Sequence, residues 1–140
     1  MGFLLGTRIR TPEGEKSVQD FRAGDYIINK FGSAAMITGR SRIDSPSIRR
    51  FRFQLVFQPL LVSINHHCYV GKWSGVGLTL APAMNISSGF FRGGIPGNME
   101  WVAIHADTFS NGPNVPGAGR FYQLDGVSSC WANNIICGTS

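Results

Sequence analysis

This sequence has few charged residues, and acidic ones are the scarcest. Only 15% of the 140 residues are charged, and no Asp or Glu occurs between Ser45 and Met99. Disordered chains are rich in charge and poor in apolar residues, whereas 43% of this chain is hydrophobic. The composition therefore excludes a disordered chain, and the length predicts one domain over residues 1–140.

Long apolar runs are also lacking. No segment approaches the ~18–20 apolar residues of a membrane-spanning helix. Residues 1–6 have no basic stretch and too short an apolar run for a signal peptide. We therefore expect a soluble protein with no membrane contact, either cytoplasmic or assembled into a larger particle.

Cysteine is rare and is not arranged in pairs. Cys68, Cys130 and Cys137 form no Cys-x-x-Cys motif, and three thiols cannot all pair internally. His66 and His67 precede Cys68, but the ligand spacing of structural zinc sites is missing. The pattern predicts buried free thiols and neither a metal nor another cofactor.

The short motifs of common enzymes are missing from the sequence. It contains no Gly-x-Ser-x-Gly elbow, P-loop or His-Glu-x-x-His motif. His105 and Asp107 could be read as a dyad, but spacing of two on a strand only places two side chains on one face. The sequence therefore gives no indication of an enzyme of these classes.

Glycine and proline, in contrast, are plentiful and spread along the chain. The 18 glycines and 7 prolines divide the sequence into short alternating segments, which favours many strands joined by turns over long helices. Strands are predicted, among others, at 7–11, 26–29, 34–43, 51–57, 60–64, 68–70, 101–105, 121–124, 130–132 and 134–137. The fold class predicted is all-β.

Basic residues concentrate in one stretch of this chain, whose net charge is +5. Five arginines fall within 13 residues: Arg40, Arg42, Arg49, Arg50 and Arg52. Such a run usually forms a solvated face, but it also fits contact with an acidic protein or with nucleic acid. Phe51 and Phe53 alternate with the last arginines, which favours a half-buried strand over a base-stacking surface.

Three ordered blocks resemble a known family. Residues 2–27, GFLLGTRIRTPEGEKSVQDFRAGDYI, resemble the opening block of Hint (hedgehog/intein) domains, with Gly-Thr, a turn around Gly14 and a Gly-Asp pair. Residues 61–66, LVSINH, resemble the Thr/Ser-x-x-His block, and residues 122–136 resemble the closing block. The resemblance implies a compact, horseshoe-shaped Hint-like fold of many short strands.

The same resemblance places the family's reactive positions, and most are degenerate here. The first position needs a Cys or Ser that attacks the preceding carbonyl, but it reads Gly2, preceded only by Met1. The terminal His-Asn pair corresponds to Gly138 and Thr139, and the closing block's His is replaced near Ser128. The resemblance therefore implies no self-processing enzyme.

Of the family's constellation, Ser63 and His66 remain as vestigial site residues. Without a nucleophile, we expect His66 to be structural and to bond the backbone near residues 3–6. His67 has the opposite strand parity and should point away from it.

These observations predict a catalytically inactive Hint-fold module that acts as a structural or interaction subunit. A protein partner or homo-oligomer is expected, and a phage virion is one setting by analogy. The candidate docking surface combines the arginine run with Trp73, Phe90 and Phe91, since exposed aromatics and arginines suit interfaces. Two alternatives stay open: an autoprocessing intein-like domain, and a nucleic-acid-binding module acting through Arg40–Arg52.

Overall fold

A computed structural model describes residues 1–54, 58–71, 78–91, 102–115 and 119–140. Of Phe90, Phe91 and Val102 it describes the backbone only. The interaction residue predicted at Trp73 lies outside the described residues, as do the side chains of Phe90 and Phe91.

The described residues form short strands and two 3-10 turns, with no α-helix among them. This confirms the predicted all-β class. The strands are β1 Phe3–Leu4, β2 Arg8–Thr11, β3 Gly14–Ser17, β4 Tyr26–Ile28, β5 Ala34–Met36, β6 Gly39–Ile43, β7 Ser47–Phe53, β8 Leu60–Ser63, β9 His67–Gly71, β10 Leu78–Pro82, β11 Gly89–Phe91, β12 Val102–Ser110, β13 Phe121–Asp125, β14 Ser129–Ala132 and β15 Ile135–Gly138. The 3-10 turns span Val18–Asp20 and Ala83–Asn85. Neither helical segment in the described ranges is long and apolar enough to span a membrane.

The strands pair antiparallel in three sheets. A seven-stranded sheet has the order β11-β12-β7-β8-β1-β13-β6, and a six-stranded sheet has the order β10-β9-β15-β14-β2-β3. The hairpin β4-β5 forms a third, two-stranded sheet. The first strand therefore lies inside one sheet and the last strand inside another, so that each is flanked on both sides.

The core follows the alternation of apolar residues along the strands. In β7, for example, Phe51 and Phe53 are both buried in one apolar cluster with Phe3. Ile48 faces the other side of the sheet and is buried in a second, smaller cluster with Phe121. Alternating apolar residues of a strand face one side of its sheet, so two sheets can bury their apolar faces together.

The predicted strand over residues 34–43 is in fact two strands in different sheets. The break lies at Ile37, which is fully buried and donates its N–H to the carbonyl of Asp25 at 2.9 Å. The next amide, of Thr38, donates to the carbonyl of Asp125 at 2.9 Å. The chain changes sheets here because two successive amides bond to different neighbours, which alternation in the sequence does not reveal.

Candidate functional site

The candidate site lies where β8 turns into β9. The turn is closed by the His66 amide, which donates to the carbonyl of Ser63 at 3.0 Å. On one side of it lies β1, whose Phe3 is opposite Val62 of β8. On the other lies β15, whose Cys137 is opposite Cys68 of β9.

Ser63 holds the start of the chain. Its hydroxyl oxygen accepts the Gly2 N–H at 2.9 Å, and its own N–H donates to the Gly2 carbonyl at 2.9 Å. The Met1 amino group also donates to this hydroxyl, and burial lowers the pKa of that amino group to about 6. The serine and the backbone of residue 2 therefore form a closed pair of buried hydrogen bonds.

His66 is fully buried between the two ends of the chain. Its Nε2 lies 2.8 Å from the carbonyl oxygen of Gly138, and since a carbonyl can only accept, Nε2 carries the proton. The imidazole packs on the ring of Phe3, with 4.3 Å between centroids. His66 was expected to bond the backbone near residues 3–6, but its hydrogen bond goes to the last strand instead.

The second ring nitrogen of His66 has no partner. Nδ1 is buried without a hydrogen bond, and desolvation by burial lowers the pKa of the imidazole to about 3. The ring is therefore neutral around pH 7, with Nε2 as donor and Nδ1 as an unused acceptor.

The end of the chain is fixed beside this histidine. The His67 amide donates to the carbonyl of Ser140 at 3.1 Å, and the Leu124 amide donates to that of Thr139 at 3.3 Å. The Thr139 hydroxyl donates to the Val127 carbonyl. The structure thus brings Gly2, Ser63, His66, Gly138 and Thr139 together, whereas Ser128 is exposed.

Neither glycine of the site has room for a side chain. A Cβ on Gly2 would lie 2.9 Å from the Tyr122 carbonyl oxygen and 3.1 Å from Ile43 Cδ1. A Cβ on Gly138 would lie 2.8 Å from the carbonyl oxygen of His67. Contacts this short to backbone atoms would force the chain to shift. The neighbouring backbone therefore approaches both positions so closely that only glycine fits without a rearrangement.

The three cysteines lie on adjacent strands, opposite one another in register. Cys137 is opposite both Cys130 and Cys68, and all three are buried free thiols, as predicted. Burial raises the pKa of Cys130, and a hydrogen bond with Cys68 together with burial raises that of Cys137. Thiolates are the reactive form of cysteine, so these two thiols are poor nucleophiles. Within the described ranges, no cluster of three or more side chains could ligate a metal.

The arginine run does not form one cluster in space. Arg40 and Arg42 lie on β6, whereas Arg49, Arg50 and Arg52 lie on β7. Three strands separate β6 from β7 in the sheet, and at about 4.8 Å per strand the two groups are roughly 19 Å apart.

Three of these arginines have partners within the chain. Arg49 donates to the carbonyls of Ala83 and Ile86, and Arg40 donates to the carbonyl of Gln19. Arg50 makes a two-point ion pair with Asp107, which lowers the pKa of that carboxyl.

In this ion pair both carboxylate oxygens of Asp107 accept hydrogen bonds from Arg50. Asp107 is therefore paired with Arg50, and the structure gives no bond between it and His105, the other member of the dyad considered in the sequence. Arg40, Arg42 and Arg52 are the exposed arginines of the run, and an external anion could reach them.

Two features of the site had no signal in the sequence. The contact of Phe3 with His66 depends on a two-residue strand too short to show alternation. The bond to Gly138 depends on the register between β9 and β15. The three-block resemblance placed His66 near the N-terminal strand, but it did not place Gly138 beside this histidine.

Comparisons with known proteins identify the fold of this chain. No protein-family model and no curated protein matches the sequence. Solved structures do match: the gp41-1 intein has 14% identity and a TM-score of 0.72, covering 98% of this chain and 97% of its own. A splice-inactive variant of the AceL NrdHF class 3 split intein has 16% identity and a TM-score of 0.76, covering 99% and 98%.

An intein-like domain from Clostridium thermocellum also matches. It has 15% identity and a TM-score of 0.73, and the match covers 98% of this chain and 97% of that domain. At such identities the likeness concerns the fold alone. The chain therefore has the Hint/intein fold, in agreement with the three blocks of its sequence.

Proposed function

We propose that this chain is a Hint-fold module that does not process itself and serves as an interaction subunit of a larger assembly. One observation carries the first part of the proposal, the lack of self-processing: the residue bonded to Ser63 beside His66 is Gly2, which has no side chain and no space for one.

The chemistry explains why this residue is decisive. An acyl shift forms an ester or thioester when a side-chain oxygen or sulfur attacks the preceding carbonyl carbon. Gly2 supplies neither atom. The Ser63 hydroxyl lies close by, but its oxygen accepts the Gly2 N–H. An N–H lies in the peptide plane and points away from the carbonyl carbon, so the Ser63 oxygen is not placed for attack.

The other end of the chain supports the same proposal. Succinimide formation requires a side-chain amide, and the positions that bond to His66 and to Leu124 are Gly138 and Thr139. Thr139 has a hydroxyl instead of an amide, and its proton is donated to the Val127 carbonyl. What His66 retains is a structural bond that joins the last strand to the turn after β8.

The proposal is tested by placing the chain between two reporter proteins and measuring intact masses with and without added thiol. We expect to find the mass of the uncleaved fusion under both conditions. An active intein placed between the same reporters is the positive control and should be cleaved. A cleaved or spliced product would establish the alternative, an autoprocessing domain, and would refute the proposal.

A cysteine at position 2 is not expected to restore cleavage. Gly2→Cys should lower the free energy of unfolding by about 1–3 kcal/mol, because the new side chain is forced against the Tyr122 carbonyl. The measurement is urea denaturation of the variant, together with the mass of its reporter fusion.

Gly2→Ala is the matched variant, since it adds the Cβ without the thiol and should be similarly destabilised. Gly112→Ala is the control, because a Cβ there meets nothing within 4 Å. Thiol-dependent cleavage by the Gly2→Cys fusion would contradict the expectation that packing at this position prevents the chemistry.

A further inference from the structure

The tip of the hairpin β4–β5 presents an aromatic side chain to solvent. Phe31 is 80% exposed, the highest value among the large hydrophobic residues described. Single exposed apolar residues are common, so exposure alone carries no function. What distinguishes Phe31 is the rigidity of its support and the charge beside it.

The turn that carries Phe31 is fully hydrogen-bonded. The Asn29 side-chain oxygen accepts the amides of Phe31 and Ser33, both at 3.0 Å. The Gly32 amide donates to the Asn29 carbonyl at 3.0 Å, and Gly32 has a φ of +83°, which favours glycine. The backbone conformation of the tip is therefore fixed from within.

The same turn is also tied to β14 in another sheet. The Trp131 indole N–H donates to the Asn29 carbonyl at 3.1 Å, and the Lys30 amide donates to the Ser129 hydroxyl at 3.0 Å. These two bonds hold residues 29 and 30 against the body of the protein. Phe31 therefore projects from a braced support, and ordering it on binding has a low entropic cost.

Two cations lie over aromatic rings, one at the tip itself and one at the strand that braces it. The Lys30 ammonium lies 5.0 Å from the Phe31 ring and 4.7 Å from the Tyr69 ring. The Arg10 guanidinium lies 4.4 Å from the ring of Trp131, the residue that braces the turn.

Neither cation forms an ion pair with any carboxylate in the described ranges. This holds for Arg10 although Glu15 is its cross-strand neighbour. Arg10 also donates to the neutral side-chain oxygen of Asn134 at 3.4 Å. Among the residues that the structure describes, no carboxylate therefore neutralises either charge.

The apolar surface continues along the hairpin. Tyr26 and Met36 are cross-strand partners on β4 and β5 and are 51% and 52% exposed. With Phe31, the hairpin carries three of the six exposed large hydrophobic residues in the part of the chain that the structure describes.

From these observations we propose that the hairpin tip is a protein-docking site, with Phe31 as its anchor. The partner it fits is a protein segment that combines apolar side chains with carboxylates. Rigid aromatic side chains are typical anchors of interfaces, and unpaired cations around an anchor favour an acidic rim. The inference rests on the proposed function, which assigns the chain an interaction role.

The test uses a displayed random peptide library selected against the full chain. We expect enriched peptides to combine Asp or Glu with an aromatic or aliphatic residue. Phe31→Ala should weaken their binding at least tenfold, whereas Leu80→Ala, which truncates another exposed apolar residue on a different hairpin, should change it less than twofold. Lys30→Gln should reduce the salt dependence of binding.

Three results would overturn the inference. They are no enrichment, enriched peptides without acidic residues, and equal binding of the peptides to wild type and Phe31→Ala. Binding of a labelled oligothymidine that is lost in Phe31→Ala, with no peptide enrichment, would assign the tip to nucleic acid instead. The cleavage assay gives an independent result. A chain that cleaves itself but still binds the peptides refutes only the proposed function. A chain that does not cleave itself and binds no peptide refutes only this inference.

Discussion

Replacing Phe3 by alanine is expected to lower the free energy of unfolding by about 3–5 kcal/mol, the usual range for removing a fully buried aromatic side chain. Phe3 has no exposed surface. It belongs to the two-residue strand Phe3–Leu4, which lies between β8 and β13 and joins these strands in the sheet.

The loss should be felt at the site as well as in overall stability. Phe3 is opposite Val62 of β8 and Tyr122 of β13, and its ring packs on that of His66. Truncation leaves a cavity beside the imidazole and loosens the strand that Ser63 holds through Gly2. Amide exchange at Ser63, which donates to the Gly2 carbonyl, should therefore accelerate more than global destabilisation explains.

Urea denaturation followed by tryptophan fluorescence measures the change, and Phe31→Ala is the matched control. The substitution is identical, but Phe31 is 80% exposed, so its effect should stay within about 0.5 kcal/mol. A Phe3→Ala variant as stable as Phe31→Ala would mean that β1 does not contribute to the fold as described.

The parts of the fold that sequence could predict are those with local causes. The hairpin from Arg8–Thr11 to Gly14–Ser17 is predictable because alternation surrounds a turn at Gly14, whose φ is +122°. The turn at Gly24 is predictable in the same way, because Gly24 precedes an apolar strand and adopts a positive φ of +94°, which favours glycine. Each of these depends only on residues close in sequence.

The parts that could not be predicted depend on distant partners. The length of β12, Val102–Ser110, comes from its pairing with all of β7, whereas alternation predicted a strand at 101–105. The break at Ile37 has the same origin, since its amide bonds to Asp25 of another turn. Such pairings are set by the global arrangement of sheets and leave no local pattern.

The site divides in the same way. Ser63 and His66 were found because they belong to a block that resembles a family motif, but the motif does not specify the bond to Gly138. Phe31 carried no signal, because a lone aromatic after Asn-Lys resembles a core residue as much as a surface one. Only its exposure and the bonds around Asn29 distinguish it.

Because of His66, the loss of stability in acid should begin at a higher pH than protonation of the carboxylates alone would cause. Burial lowers the pKa of this imidazole to about 3, whereas an unfolded histidine has a pKa of about 6.5. Between these values the unfolded state binds one proton more than the folded state. Stability therefore rises with pH across this window and is flat with respect to His66 above it.

The slope is about 1.4 kcal/mol per pH unit well below pH 6.5. Lowering the pH from 6 to 4.5 should thus reduce the free energy of unfolding by about 2 kcal/mol. Hydrogen bonds to Lys16 and Arg50 lower the pKa values of the Asp25 and Asp107 carboxyls. Their contribution to stability is lost below about pH 4, which is outside this window. The upper end of this window coincides with the pKa of about 6 of the Met1 amino group, whose contribution changes little below about pH 5.5.

Urea denaturation at several pH values measures the slope, and His66→Gln should abolish it. Glutamine can still donate an N–H toward the Gly138 carbonyl but does not titrate, so the variant should be less stable at pH 7 yet flat from pH 6 to 4.5. His105→Gln, at an exposed position, should keep the slope. If the glutamine variant does not fold, the ring protons of His66 in the wild type provide a second measurement. A shift midpoint near pH 6.5 would contradict a buried neutral imidazole between the two ends of the chain.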